Sequence, residues 1–434
     1  MFKTLADAFK IKEVRNKILL TLLLLFIYRL GCWLPIIGLK PEVFRSNVES
    51  NTFLSLLSSV SGGALSQGSF LALGVSPYIT ASIIIQLLSV VIPSWQRLAK
   101  EGGADGRKRI SLYTKIAALV IAVAQAIGIA VGFGAADSAN LSLFANNKFL
   151  FYVFVVLMLV AGAMFTVWLG EKITEIGIGN GMSLLIFVGI LSSATTAIMG
   201  NFSDIGSGNS EAIWKLVLFV VALIAIFALV VFVDGGERRV GVQYAKQMKG
   251  RKMYGGQSTY IPVRVNANGV MPIIFASAIL TFPQMIFSIF WPNVTDGFIG
   301  WWNTWVGAGS WVYAILMALL ILAFAYFWTM VQFDTDEISR QIQQNGGFIP
   351  GIRPGKPTAQ YLDGINKRIT FFGAIFLAFM ALIPTLLFTA ISGSNGLTSA
   401  FSATGMLIVV SVALEFQKQL EAQMMMRNYR GFLK

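Results

Sequence analysis

Histidine is missing from the 434-residue sequence, and cysteine occurs once, as Cys32. The absence of histidine excludes imidazole metal ligands and histidine general bases. A single cysteine inside an apolar run excludes a disulfide framework and a CxxC pair. Charge is scarce as well: 12% of the residues are Asp, Glu, Lys or Arg, about half the share of a typical soluble protein. Most of the molecular surface therefore faces something other than water.

Enzymatic motifs are also missing. The sequence contains neither HExxH nor GxSxG. The stretch 350–358 faintly resembles a phosphate-binding loop, but the required first glycine falls on Pro350, and Lys356 is followed by proline instead of Ser or Thr. We therefore predict a protein that is not an enzyme, holds no metal or cofactor and does not bind nucleotides directly. Any ATP-driven work must come from a partner.

Long apolar runs are abundant, because 56% of the residues are hydrophobic. A membrane-spanning helix needs about 20 mostly apolar residues. Ten segments meet this requirement, of which the second is short and the fifth opens in a glycine-rich stretch. They predict an all-α polytopic membrane protein with ten transmembrane helices at 18–37, 75–92, 113–134, 149–170, 178–199, 213–233, 269–291, 310–332, 370–391 and 401–419.

Basic residues are concentrated in alternate loops, and this orients the ten segments. The two tails and the loops after segments 2, 4, 6 and 8 contain 28 of the 33 Lys and Arg residues, and the net charges of the two faces are +14 and −2. The positive-inside rule places the basic face and both termini in the cytoplasm. The opposite face has four basic residues: Lys40, Arg45, Lys148 and Lys215.

Arg29 is the only charged residue clearly inside a segment. Ion-coupled transporters usually keep an acidic residue or a histidine near the middle of the membrane. An uncharged interior instead suits a pathway for varied cargo, and apolar constrictions can still block ions by dewetting. Ten segments also divide into five and five, and an odd-numbered half forces the second half to run inverted. Ten unrelated segments are the alternative.

The outer connection 38–74 contains a stretch, 53–65, that is too short and serine-rich to span a membrane and too apolar for a solvated loop. Its stretch 53–60 is followed by Gly62-Gly63. Two interpretations stay open: a re-entrant helix covered by protein, or an amphipathic helix on the outer surface.

Two basic cytoplasmic loops, 234–268 and 333–368, are each about 35 residues long. The alternation from Arg239 to Tyr244 allows a short strand. Such loops can serve only as topology determinants or contact anionic lipids. Their length favours docking of an acidic or RNA-bearing partner.

A set of motifs runs from the first segment to the tenth: Ser61-Gly62-Gly63-Ala64-Leu65-Ser66, the stretch 73–88 (LGVSPYITASIIIQLL), Trp168-Leu169-Gly170-Glu171, Gly177-Ile178-Gly179-Asn180-Gly181, Gln257-Ser258-Thr259 with Gly269-Val270-Met271-Pro272, and the stretch 348–355 (FIPGIRPG). Each is weak alone. Together they resemble the SecY family, the channel-forming subunit of the bacterial Sec protein translocase, over essentially the whole chain.

The resemblance implies two inverted five-helix halves, 18–199 and 200–419, around a central hourglass pore, between cytoplasmic tails 1–17 and 420–434. It implies a re-entrant plug helix at about 53–67. The site residues that it implies are a pore ring of Val75, Ile79, Met182, Ile186, Ile274 and Ile408; plug residues Leu56, Leu57, Val60, Gly62, Gly63 and Leu65; lateral-gate residues Thr80 and Phe282; and motor or ribosome docking residues Arg251, Lys252 and Arg353.

The resemblance further implies a protein-conducting channel in the bacterial cytoplasmic membrane. Unfolded polypeptides would cross it, hydrophobic segments would leave sideways into the bilayer, and a cytoplasmic motor or the ribosome would drive transport. The implied partners are the small membrane subunits SecE and SecG, the SecA ATPase, the ribosome, precursors with signal sequences, and anionic lipids. The alternatives are a secondary transporter of a small solute and a non-transporting scaffold that gathers cytoplasmic factors.

Overall fold

The computed structural model describes residues 9–37, 39, 45, 58, 61–100, 103–132, 148–206, 210–244, 247–249, 252–254, 258–265, 271–290, 297–306, 310–392 and 403–431. This part of the chain is mostly helical. Its helices are α1 Lys12–Cys32, α2 Ser76–Val91, α3 Pro93–Lys100, α4 Gly103–Gly132, α5 Lys148–Ile176, α6 Gly181–Gly206, α7 Ser210–Asp234, α8 Met271–Phe290, α9 Gly297–Trp305, α10 Trp311–Gln332, α11 Thr335–Gln344, α12 Lys356–Ser392 and α13 Ala403–Gly431. Its strands are β1 Glu237–Tyr244, β2 Gln247–Lys249, β3 Lys252–Tyr254, β4 Ser258–Arg264 and β5 Gly347–Phe348.

Each of the ten predicted segments lies on a helix, namely α1, α2, α4 to α8, α10, α12 and α13. The predicted ends are less accurate. The first segment was predicted to reach residue 37, but α1 ends at Cys32, because Pro35 disfavours helical backbone just before it. Conversely, α12 begins at Lys356 and not at 370, and α13 continues to Gly431. Hydropathy marks the apolar part of a helix and not the polar turns that extend it.

Length and composition mark four helical stretches of the described chain as able to cross a membrane: Asp105–Val131, Phe149–Ile176, Trp311–Gln344 and Lys356–Ile383. Three apolar helical stretches are shorter: Ser76–Ser89, Gly181–Thr196 and Val220–Asp234. Helix surfaces away from the core are apolar as well, since Leu23 and Phe26 of α1 are 58% and 63% exposed. Such surfaces are suited to lipid.

Helix packing repeats between the two halves of the chain. In the first half α1 packs on α5 and α6, α2 on α4, α4 on α5, and α5 on α6. The corresponding pairs five segments later also pack: α7 on α12 and α13, α8 on α10, α10 on α12, and α12 on α13. This recurrence is what a repeat of five helices predicts. The halves meet where α6 contacts α7 and α13, and where α4 contacts α8.

The two basic loops form one folded unit. The strand expected from Arg239 to Tyr244 is confirmed as β1, which pairs antiparallel with β4 on one side and β5 on the other. β4 belongs to the first loop and β5 to the second, so the sheet joins them. The second loop also contains α11 and the start of α12. We call β1, β4, β5, α11 and the first turns of α12 the sheet unit. Its buried core is Val240, Val242, Val263, Ile342, Ile349 and Leu362.

Candidate functional site

An apolar cluster forms where the two halves meet, and we call it the central cluster. All six residues of the implied pore ring belong to it, although they come from four places in the chain: α6, α8, α13 and the start of α2, where Val75 is the residue just before the helix. Val75, Ile186 and Ile408 are buried, whereas Ile79, Met182 and Ile274 are partly buried and pack against them. The other buried members are Tyr28, Cys32, Ala64, Leu71, Leu169, Ile173, Leu184, Leu185, Ile190 and Val412.

The start of α2 positions the first two ring residues. Val75 is the residue before the helix and has helical backbone angles. The N–H of Ile79 donates a 3.1 Å hydrogen bond to the carbonyl oxygen of Val75. Pro77 fits here because the first turn of a helix needs no donor from it. Residues four apart lie on one helix face, so both side chains point into the cluster.

The glycine-rich turn before α6 positions the next two. The N–H of Gly181 donates to Oγ1 of Thr174 at 2.9 Å, and the N–H of Met182 donates to Oδ1 of Asn180 at 3.1 Å. These side chains satisfy two of the unpaired donors at the helix start. The helix then presents Met182 and Ile186, again four apart, on the face toward the cluster.

Residues 61–75 form a run of turns that enters the bundle, and we call them the 61–75 segment. Its predicted plug residues Gly62, Gly63 and Leu65 are described, whereas Leu56, Leu57 and Val60 lie outside the described residues. A plug helix was expected to reach residue 67, but residues 61–67 are turns. The φ angles of Gly62 and Gly63 are +71° and +83°, and a right-handed helix needs negative values.

The 61–75 segment is held deep among the helices. The N–H of Ile36 donates to the carbonyl of Gly68 at 2.9 Å, and the N–H of Phe70 donates to the carbonyl of Leu34 at 3.2 Å. Leu65 is fully buried and packs with side chains of α4 and α5. Residues 61–66 and 68–74 are buried or half-buried, so this part of the outer connection lies inside the bundle and not on its outer surface.

The implied gate residues lie on two helices that both pack against α4. Thr80 is half-buried on α2, and its hydroxyl donates to the carbonyl of Ser76 at 3.1 Å. Phe282 lies on α8 beside Pro283, but its side chain is outside the described part. α4 of the first half and α8 of the second are in direct contact with each other.

The implied docking residues are only partly described. Arg353 is exposed on the turn between β5 and α12, and its carbonyl accepts a 2.9 Å hydrogen bond from Oγ1 of Thr358. Arg251 lies outside the described residues. Lys252 is in β3, paired with Lys249 of β2, and its side chain is likewise outside the described part. The structure brings β1, β4 and the Arg353 turn into one unit.

Acidic residues are found beside the central cluster, at the end of α5. Glu171 forms a 2.8 Å salt bridge with Lys115 of α4. Lys172 donates a 2.7 Å hydrogen bond to the carboxylate of Glu175 on the same helix. Among the described residues, no group of three or more Cys, Asp or Glu side chains could hold a metal ion. An open cleft here is lined by Tyr78, Ser111, Glu171, Thr174, Glu175, Asn180 and Met182.

Comparison with known proteins identifies the family. A family model named SecY matches residues 69–417. The protein translocase subunit SecY of Mycobacterium tuberculosis is 40% identical over 450 residues, covering 100% of both chains. The chain belongs to the SecY family. Membership makes it a multi-pass membrane protein that forms a protein-conducting translocation channel, and not an enzyme.

Solved structures agree with the SecY fold. One, described as the structure of a protein conducting channel, has a TM-score of 0.65 at 19% identity and covers 94% of this chain and 91% of its own. Sec61 in the canine ribosome-channel complex from the endoplasmic reticulum has a TM-score of 0.61 at 18% identity, with coverages of 94% and 91%. At such identities the likeness concerns the fold alone.

Sequence reasoning missed two features of the site in this SecY chain. Tyr28 and Cys32 belong to the buried centre, but an aromatic residue and a cysteine in an apolar run give no pattern that points there. Arg29 was noted only as a charge in an apolar run. Its partner, the carbonyl oxygen of Gly62 at 2.7 Å, lies in the 61–75 segment.

Proposed function

We propose that the central cluster is the constriction of an hourglass pore through which unfolded polypeptides cross the cytoplasmic membrane. The observation that carries this proposal is the convergence of six aliphatic side chains from four places in the chain, in both of its halves. Aliphatic side chains can close around a moving chain of any sequence, because they form no directed bonds with it. A constriction lined in this way also resists ions by dewetting.

The 61–75 segment is the described part of the plug. Ala64 packs in the central cluster with Val75, Ile186 and Ile408, so the segment fills the space on one side of the proposed ring. Its turns contain several glycines, which adopt new backbone angles at low cost. Cargo displaces the segment, and the segment returns when the cargo has passed.

The lateral gate lies between α2 and α4 of the first half and α8 and α10 of the second, with Thr80 and Phe282 on its sides. Separation of α4 from α8 opens a path from the pore to lipid. A hydrophobic cargo segment leaves through this path because burial of apolar surface contributes about 25 cal/mol per Å². The channel thereby sorts membrane segments from secreted segments by partitioning.

The ten helices form two inverted halves, 18–199 and 200–419, with both termini and the sheet unit on the cytoplasmic side. The excess of basic residues on that face supports this orientation. The relative named above is a bacterial protein, and this supports the bacterial cytoplasmic membrane as the location of the channel.

The sheet unit receives the partner that drives transport. Exposed Arg353 and the basic residues Arg251 and Lys252 contact the SecA ATPase or the ribosome, and the chain itself binds no nucleotide. Sec61, a fold relative, forms a ribosome-channel complex. SecE and SecG complete the channel, precursors with signal sequences are its cargo, and anionic lipids contact its basic loops.

Reconstitution tests this proposal directly. The full-length chain, purified with its small membrane subunits, is placed in vesicles with SecA, ATP and a precursor that has a signal sequence. We expect the precursor to become protected from added protease only when ATP is present. A precursor without its signal sequence serves as the control. No protection of any precursor, together with saturable uptake of a small solute, would establish the secondary transporter instead.

A further inference from the structure

We propose that Arg29 is a positioning residue that holds the plug in the closed channel through the backbone carbonyl of Gly62. The inference rests on the proposed function, in which the 61–75 segment belongs to the plug. It assigns a role to the one charged residue that lies clearly within an apolar segment of the sequence.

The contact is short and direct. Nη1 of Arg29 donates a 2.7 Å hydrogen bond to the carbonyl oxygen of Gly62, 33 positions along the chain. A charged donor gives a shorter and stronger bond than a neutral one. A charge within a membrane-spanning helix is costly, and it is retained where it has a partner and a function. Here the partner is a backbone carbonyl that no substitution of the plug can remove.

Gly62 fits between two helices of the first half. Its φ of +71° favours glycine, and an added Cβ would lie 3.0 Å from Nη1 of Arg29 and 3.0 Å from Cα of Gly189 on α6. A side chain here would therefore push the carbonyl away from the guanidinium. Gly63 has a similar φ of +83°, but a Cβ there would meet nothing within 4 Å. The two neighbouring glycines thus have similar positive φ angles, but only at Gly62 would an added Cβ meet neighbouring atoms.

Two other side-chain hydrogen bonds at this end of the segment stay within residues 58–66, and a third joins the segment to α1, where the thiol of Cys32 donates to the carbonyl of Ser61 at 3.9 Å. The hydroxyls of Ser58 and Ser66 lie 2.7 Å apart, and the hydroxyl of Ser61 donates to the carbonyl of Ser58 at 3.1 Å. These bonds move with the plug and do not restrain it. The bonds from Arg29 and Cys32 restrain it, because they join the segment to α1, and the charged guanidinium is the stronger donor of the two.

Release leaves the guanidinium near a second partner. Arg29 lies 6.0 Å from the centroid of the Trp33 ring on the same helix, close enough for a cation–π contact. The ring contact exists beside the bond to Gly62, so when cargo displaces the plug the guanidinium keeps the ring and gains water that enters the opened pore.

Four variants of the full-length chain, purified in its complex, test this role in planar bilayers. Arg29→Gln removes the charge, and Arg29→Lys retains it. Gly62→Ala displaces the carbonyl, and Gly63→Ala is the matched control for backbone strain. The measurements are the conductance of the resting channel and its conductance with a translocating chain held inside.

We expect Arg29→Gln and Gly62→Ala to raise the resting open probability about ten- to a hundredfold, as loss of a charged hydrogen bond implies. Arg29→Lys and Gly63→Ala should differ less from the native channel. Conductance with cargo held inside should be equal in all five proteins, because the plug is then already displaced. Combining Arg29→Gln with Gly62→Ala should add little to either change alone, because both break one contact.

Equal leaks from the two alanine variants would overturn the proposal, since strain alone would then explain them. A native-like resting conductance of Arg29→Gln would overturn it as well. If Arg29→Gln fails to assemble, the comparison of Gly62→Ala with Gly63→Ala still decides. A native chain that translocates no precursor refutes the proposed function, whereas a translocating chain whose variants do not leak refutes only the role of Arg29.

Discussion

The backbone N–H of Ile178 donates a 3.2 Å hydrogen bond to Oγ1 of Thr21, a residue 157 positions earlier in the chain. The same hydroxyl donates to the carbonyl of Lys17 at 2.8 Å. One buried side chain therefore ties α1 to the glycine-rich turn that positions Met182 and Ile186. The bond makes the first helix part of the support for the proposed ring.

Replacement of Thr21 by valine keeps the shape of the side chain and removes the acceptor. The buried N–H of Ile178 then has no partner, which costs about 1–3 kcal/mol. We expect a lower unfolding temperature in detergent. Thr195→Val is the matched control, since that exposed hydroxyl only donates to the carbonyl of Leu191 within α6. Equal shifts in the two variants would contradict the bridging role of Thr21.

Serine at Ile186 and Ile408 together should raise the ion leak of the resting channel. Hydroxyls hydrate a constriction that excludes water when it is aliphatic. Conductance of reconstituted vesicles measures the leak. Leu191→Ser, a change on an outward face of α6 where the side chain is 48% exposed, should leave it unchanged. An unaltered leak in the double variant would remove these residues from the ring.

Leu362→Ala should loosen the sheet unit. Leu362 is fully buried in the core of that unit, and removal of a buried leucine side chain costs about 2–5 kcal/mol. We expect faster cleavage of the β4–α8 and β5–α12 connections by added protease. The neighbouring Tyr361 is 40% exposed, so Tyr361→Ala should change the rate little. Similar rates in both variants would mean that the unit does not fold cooperatively.

Arg353→Glu should abolish SecA-driven translocation and leave the channel assembled. The side chain is exposed, and the turn is held by the hydrogen bond from the Thr358 hydroxyl to the backbone carbonyl of Arg353. Charge reversal therefore alters recognition and not the fold. Precursor protection in vesicles measures translocation, and gel filtration measures assembly. Arg107→Glu, on an exposed part of α4 outside the sheet unit, is the control. Normal translocation by Arg353→Glu would exclude the docking role.

The helices could be predicted from the sequence, because burial in lipid leaves long apolar runs. The ring residues came from motif resemblance, since an aliphatic residue such as Ile274 looks like any core residue. The pairing of Gln243 with Phe348 in the sheet unit could not be predicted, because strand partners 105 positions apart leave no local pattern. The partner of Arg29 was missed for a related reason. Every residue has a backbone carbonyl, so the sequence does not show which carbonyl lies beside the guanidinium; the turns of the chain decide this.

Cross-linking of a trapped cargo chain tests the central claim most directly. Cysteine is placed at Ile186, Ile408 or, as the outward control, Leu191, in a chain with Cys32→Ser, and a precursor with one cysteine is arrested during translocation. We predict disulfides from Ile186 and Ile408 and none from Leu191. Translocation of the precursor without any cross-link to Ile186 or Ile408 would contradict passage through the central cluster.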